Sequence, residues 1–189
     1  MKKMPTLYKR IFDNHEKVGI ENIVTPGCEW VERNEGIATQ KLDGTCCLIQ
    51  DNKIYARFDF KPGRKLPENA VPCQEKADEI TGHFPHWVLV EEQPQYKYHK
   101  IAFEKLKKEN PQYENGTYEL CGPHFNRNPE KLEEDTLLKH GCIILDVPRT
   151  FNGIKQFLFE NNIEGIVFHN TDGSMCKIKR SDFGFKWNC

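Results

Sequence analysis

The sequence has no run of about 18 apolar residues, so no part of it reads as a membrane span. Its start, Met-Lys-Lys-Met-Pro-Thr-Leu-Tyr, is charged but lacks the apolar core of a signal peptide. The expectation is an intracellular protein, cytoplasmic or nuclear. No sign of charge dominates either: 27 Lys and Arg face 28 Asp and Glu, for a net charge of −1. A nucleic-acid partner would have to be held by a local basic patch. There is no internal repeat and no low-complexity tract. None of the eight cysteines forms a Cys-x-x-Cys pair, and without a secretion signal they are expected as reduced thiols, several of them buried. Cys121-x-x-His124 is half of a zinc site with no matching half, where structural zinc normally takes four ligands.

What is present is an ordinary globular composition, with 38% hydrophobic and 29% charged residues over 189 positions. That length supports a core without a disulfide or metal staple. We expect a single domain over 1–189, with 1–36 as an N-terminal extension packed on it.

The apolar patterning favours strands. Ile37 to Lys41 leads into Leu42-Asp43-Gly44-Thr45. Cys46 to Gln50 and Lys53 to Phe60 read as a hairpin about the Asp51-Asn52 turn, with Lys41 near its mouth. Residues 61–74, rich in Pro, Gly and charge, read as a loop. Trp87 to Val90, Tyr118 to Cys121 and Ile143 to Leu145 read as short strands. Ile163 to His169 and Met175 to Lys179 form a second hairpin about Thr171-Asp172-Gly173. Residues 98–108, with Ile101, Ala102, Phe103 and Leu106 among lysines, predict an exposed amphipathic helix. Thr150 is placed to cap another that runs to about Glu160, with Ile154, Phe157 and Leu158 on one face. The fold class is α+β with mainly antiparallel strands; the helices are too few for a doubly wound parallel sheet.

Chemistry gathers around Lys41-Leu42-Asp43-Gly44. A lysine amine attacks phosphorus only when unprotonated, so a nucleophilic lysine needs burial, neighbouring cations or a metal ion to bring its pKa below the usual value of about 10.4. The glycine permits a tight turn that presents the lysine. Taken alone, the tetrapeptide reads more readily as a solvated lysine before a β-turn. Tyr118-Glu119-Leu120-Cys121-Gly122-Pro123 and Glu164-Gly165-Ile166-Val167-Phe168 each place one carboxylate beside a short apolar strand. Lys177-Ile178-Lys179 sets two lysines on one face, because strand side chains alternate. Two cations suit a phosphate, and two separate carboxylates suit ribose hydroxyls and Mg²⁺.

In this order, Lys41-Leu42-Asp43-Gly44, Arg57, Glu119, Glu164-Gly165 and Lys177-Ile178-Lys179 resemble the covalent nucleotidyltransferase superfamily of ATP-dependent RNA and DNA ligases and GTP-dependent mRNA capping enzymes. The resemblance covers residues 39–180. Lys41 to Cys47, Ala56 to Gly63 and Tyr118 to Pro123 look most like the 5′→3′ RNA ligases of vertebrates and their viral and microbial relatives. The resemblance implies a nucleotidyltransferase (ATP-grasp-like ligase) domain with flanking helices. It implies ATP and Mg²⁺ (or Mn²⁺) as cofactors. Its substrate would be RNA with 5′-phosphate and 3′-hydroxyl ends, joined through a lysyl-AMP and an adenylylated RNA by a monomer. It also implies residue roles. Lys41 would take the AMP, and Thr39 or Gln40 would sit near adenine. Arg57 would contact ribose or phosphate, and Glu119 would hydrogen-bond the ribose. Glu164 would help hold the metal, and Lys177 and Lys179 would contact the α-phosphate. A capping guanylyltransferase and a non-catalytic nucleotide- or RNA-binding module remain as alternatives.

Ten residues follow Lys179, where DNA ligases and capping enzymes carry an oligonucleotide-binding barrel, so no C-terminal barrel is expected. The tail aromatics Phe183, Phe185 and Trp187 read as core packing before base stacking. RNA contacts are sought at Lys61, Arg64 and Lys65, at Lys97, Lys100, Lys105, Lys107 and Lys108, and at Arg127 and Arg180. Phe125, His140 and Phe168 are unranked candidates to stack on adenine. His83, His86 and His99 read as surface or structural.

Overall fold

The computed structural model describes residues 3–187 apart from 15, 62, 64, 80 and 81. Arg64 and Cys189 therefore lie outside the described residues. The chain forms two compact units, 4–42 with 141–189, and 1–3 with 43–140. Each has its own sheet and its own apolar core, and every pairing between named strands is antiparallel. The α+β expectation holds. No helix among the described residues is long and apolar enough to cross a membrane.

In the first unit, β1 (Tyr8–Asp13) and β2 (Glu16–Val24) make a two-stranded hairpin. A four-stranded sheet follows, in the order β10 (Ile144–Leu145), β3 (Ile37–Lys41), β11 (Gly165–His169), β12 (Met175–Lys179). Residues 5–7 extend along the outer side of β12: Leu7 N–H donates to the Lys177 carbonyl at 2.8 Å, and Lys177 N–H to that of Pro5 at 3.0 Å. One face of the sheet carries Ala38, Ile166, Phe168, Cys176 and Ile178 into a core completed by Leu7, Tyr8, Trp30, Val31, Ile154 and Leu158. The last two come from α2 (Phe151–Glu160). Its expected cap is present, Thr150 Oγ1 accepting from Gly153 N–H at 3.2 Å. Phe183 packs against this core, and Phe185 stacks beside Phe183, so these tail aromatics do pack internally.

The second unit is built on a six-stranded sheet. Its order is β6 (Val71–Pro72), β7 (Phe84–Leu89), β5 (Lys53–Phe60), β4 (Thr45–Gln50), β8 (Gly116–Cys121), β9 (Thr136–Lys139). The β4–β5 hairpin closes at Asp51-Asn52 as expected, both residues having positive φ. Lys41 is not part of it, since it ends β3 in the other unit's sheet. The core face holds Cys47, Ile49, Ile54, Ala56, Tyr118, Leu120 and Leu137. It is covered by α1 (Lys97–Glu109) through Ala102 and Phe103. His99 joins those two residues on the buried face, whereas Ile101 points outward at 59% exposure, against the expected apolar face.

Candidate functional site

Strand register brings the predicted lysines together. Gly165 of β11 lies opposite Lys41 on one side and Lys179 on the other. Two positions along, Val167 lies opposite Thr39 and Lys177. Alternation then sets Lys41, Lys177, Lys179 and Thr39 on one face, with the core on the other. The same rule separates the two adenine candidates, because Gln40 pairs with Ile166 and belongs to the opposite face. Thr39 is buried, and its hydroxyl lies 2.9 Å from His169 Nε2, on the same face.

Glu164 sits just before β11 and is 4% exposed. Its two carboxylate oxygens are hydrogen-bonded by the ammonium groups of Lys41 and Lys179, one each. Lys41 Nζ also donates to the Leu42 carbonyl at 3.2 Å. One carboxylate thus stands among three lysines. Lys177 shows the surplus of positive charge: burial, then Lys41, Lys179 and Arg10, lower its pKa to about 8 against the pull of Glu164. Arg10 contributes despite its own pairing with the fully buried Asp182 at 3.2 Å. A cluster with this balance is poised for a polyanion. Gly165 is required by space. A Cβ there would lie 2.3 Å from the Ile178 carbonyl oxygen, so any side chain would force β12, which presents Lys179, away from β11.

The other predicted residues lie in the 43–140 unit. Cys46 of β4 is directly opposite Glu119 of β8, which is opposite Leu138 of β9. Glu119 accepts from Gly44 N–H at 3.1 Å and meets His140 Nε2 at 2.8 Å. Burial, with Glu119 adding to it, pushes the Cys46 thiol up to about 12. Arg57, on the same face, approaches Asp59 at 3.7 Å and leaves its buried Nε without a hydrogen bond. Gly44 lies at a bend and is also required by a close approach: a Cβ would lie 2.2 Å from the Leu120 carbonyl oxygen.

Several sequence candidates are placed elsewhere. Phe168 is fully buried in the first core, because its position in β11 faces away from Lys41, and it cannot stack on a base. Phe125 packs against the second core, edge-on to His99. His140 meets Glu119 instead. The Arg180 guanidinium is committed to the carbonyls of Leu158, Asn161 and Lys186 and is a structural tie. Lys105 pairs with Glu134 and Glu109, Lys107 with Glu104, and Lys100 with the Glu91 carbonyl. Lys61, Lys65 and Arg127 are exposed. His83, His86 and His99 take structural roles, with His83 and His86 bonded to Asp59 and the Phe84 carbonyl and His99 buried. His124 bonds Asp135 at 2.7 Å and stacks on Tyr98, and among the described residues it joins no cluster of three ligands with Cys121. Sequence reading missed His169, Arg10 and the Cys46–His140 flank of Glu119. His169 and the Cys46–His140 flank reach their neighbours through pairing between strands, and Arg10 through its side chain's contact with Asp182, remote in sequence.

The family model described as RNA ligase 1 matches residues 108–189, the stretch that carries Glu119, Glu164, Lys177 and Lys179. RNA ligase 1 of Pongo abelii is 26% identical over 226 aligned residues, covering 80% of this chain and 68% of that protein. RNA ligase 1 of Rattus norvegicus is 25% identical with the same coverage. That of Danio rerio is 25% identical, covering 95% of this chain and 76% of its own length. These matches agree with the resemblance carried by the motifs: the chain is similar to the RNA ligase 1 proteins.

Proposed function

We propose that this protein is an ATP-dependent RNA ligase of the covalent nucleotidyltransferase type, working inside the cell as a monomer and as one adenylation domain. The observation that carries the reading is the convergence of Lys41, Lys177 and Lys179 around Glu164 on one face of one sheet.

In the first step the neutral Lys41 amine attacks the α-phosphorus of ATP. A P–N bond forms, the P–O bond to pyrophosphate breaks, and the amine loses its proton. Lys41 begins as an ammonium paired with Glu164. Glu164 is therefore the nearest acceptor for that proton. Lys177 and Lys179, fixed before substrate arrives, stabilise the charge that grows on the α-phosphate oxygens. In the second step an RNA 5′-phosphate oxygen attacks the adenylate phosphorus, the P–N bond breaks and Lys41 is released. In the third, a 3′-hydroxyl attacks the activated 5′-phosphate, a phosphodiester forms and AMP departs. Thr39 on the lysine face is favoured over Gln40 for the adenine contact. The roles of Arg57 toward ribose or phosphate and of Glu119 toward ribose rest on the resemblance.

Glu164 offers a hard oxygen donor suited to Mg²⁺ or Mn²⁺, but alone among lysines it would hold a divalent ion poorly. The donor set fits a metal that arrives with the triphosphate, whose oxygens complete the shell. When bound, the ion neutralises triphosphate charge and assists pyrophosphate departure.

The test is incubation with α-labelled ATP and Mg²⁺. Wild-type protein should acquire a covalent label that chases into RNA bearing a 5′-phosphate and a 3′-hydroxyl, and Lys41→Ala should acquire none. Undiminished labelling of that variant would sink the mechanism. Labelling by GTP in place of ATP would select capping, and RNA binding without any adduct would select a non-catalytic module.

A further inference from the structure

Glu119 has two neighbours that the ligase reading does not use. Cys46 stands directly across the β4–β8 ladder from it, and His140 follows β9 two residues beyond Leu138, which lies across from Glu119 on the other side. Alternation directs all three side chains to the face opposite the core. One ligand atom from each, a sulfur, a carboxylate oxygen and an imidazole nitrogen, lies within 4.8 Å of the others. A tetrahedral ion with bonds of about 2.0–2.3 Å holds its ligands somewhat closer together, so binding would ask for a modest inward adjustment. His140 Nδ1 is buried and has no hydrogen-bond partner, which leaves the imidazole able to reorient without losing a bond there. Glu119 is steadied on its far side by Gly44 N–H, the kind of outer contact that orients a ligating carboxylate.

We propose that Cys46, Glu119 and His140 form a site for a borderline-soft divalent ion, with zinc the best fit. Mixed sulfur, nitrogen and oxygen donors disfavour Mg²⁺ and Ca²⁺, which take oxygen shells. Three protein ligands leave the fourth position to water or a small ligand. On binding, the Cys46 S–H bond breaks, sulfur bonds the ion and the proton passes to solvent. Arg57 lies near enough to interact electrostatically with Cys46 and opposes the cation, which points to moderate affinity. A consequence follows that does rest on the ligase reading: an ion that engages Glu119 removes its carboxylate from ribose, so zinc inhibits adenylylation.

Cobalt titration of the full chain without nucleotide tests the site independently of that reading. One equivalent of Co²⁺ should produce the visible bands of a tetrahedral ion together with thiolate-to-metal charge transfer, and Zn²⁺ should displace it. Cys46→Ser should abolish the charge-transfer band, and His140→Gln should weaken binding at least about tenfold. Both variants are first checked for wild-type circular dichroism. Cys142→Ser, at an exposed thiol, should change nothing. No thiolate band, or a band that survives Cys46→Ser, overturns the proposal. A normal cobalt site in a protein that never takes AMP would defeat the ligase reading and leave this one standing.

Discussion

Glu164 is the residue on which the lysine cluster depends. Its carboxylate is the countercharge to Lys41 and Lys179, and it is almost wholly buried. Removing one member of a buried ionic group leaves the rest uncompensated, at a typical cost of about 3–5 kcal/mol. Glu164→Gln keeps the shape but not the charge, so we expect a lower melting temperature and loss of most ATP labelling. A variant that melts like wild type would show that the pairing contributes little to the fold. Lys177 yields the pH prediction. It deprotonates near pH 8 in the folded protein and near 10.4 when unfolded. Between those values the unfolded chain binds more protons, so this group makes stability rise with pH from about 8 to about 10. Below pH 8 it imposes a constant penalty, on the order of 3 kcal/mol. Lys177→Met should be the more stable protein at pH 7, and the difference should shrink by pH 10 in denaturant titrations at the two pH values. A difference that is the same at both would refute the assignment. The identity of the charged residues was legible in the sequence. Their pairing was not, because Lys41 and Glu164 meet only through the β3–β11 register, which depends on a fold formed by distant segments.

Among the elements, hairpins with clean alternation and a glycine or Asx turn were readable, and β8 and β10 were legible as short apolar runs. The β4–β5 and β11–β12 hairpins satisfy both conditions. β1–β2 went unread because its two shifts of register break the alternation, and Phe12 and Val18 on it remain exposed. β7 starts three residues earlier than its apolar run, because Pro85 disguises a segment that still pairs along β5 and β6. Gly165 gives the test at this scale. With its missing Cβ already within 2.3 Å of the Ile178 carbonyl oxygen, Gly165→Ala must separate β11 from β12. We expect a loss of about 2 kcal/mol or more, as overpacking at backbone contacts produces, with a large fall in labelling because Lys41 and Lys179 are neighbours only across this position. The same change at Gly173, where a Cβ would meet nothing within 4 Å, strains only a turn of positive φ and should leave labelling intact. Equal effects at the two glycines would remove the steric explanation.

At the scale of the whole molecule, the boundary between the units cuts the motif of the proposed nucleophile, between Leu42 and Asp43. Composition does not mark this boundary, because apolar and charged residues are mixed throughout both units. The signal lies in topology. β3 and β10 are antiparallel neighbours, Ile144 opposite Thr39, and Gln40 N–H donates to the Ile143 carbonyl at 2.9 Å. Two strands so paired are normally joined by a short turn. Here residues 43–140 occupy that place, carrying a separate sheet and a core of their own. The unit they interrupt keeps its complete core, from Leu7 and Tyr8 to Ile178, and all of Lys41, Glu164, Lys177 and Lys179. Joining Leu42 to Gly141 through Asn-Gly should therefore give a chain that folds, with dispersed amide resonances and a cooperative melt. It should also retain the ion pairs of Glu164, so that Glu164→Gln destabilises it as in the full protein. By the proposed roles of Glu119 and Arg57 it should not form lysyl-AMP from ATP. A shortened chain that fails to fold would show that residues 43–140 are needed for the lysine-bearing sheet to exist, whereas one that takes AMP at the wild-type rate would remove Glu119 and Arg57 from the first step.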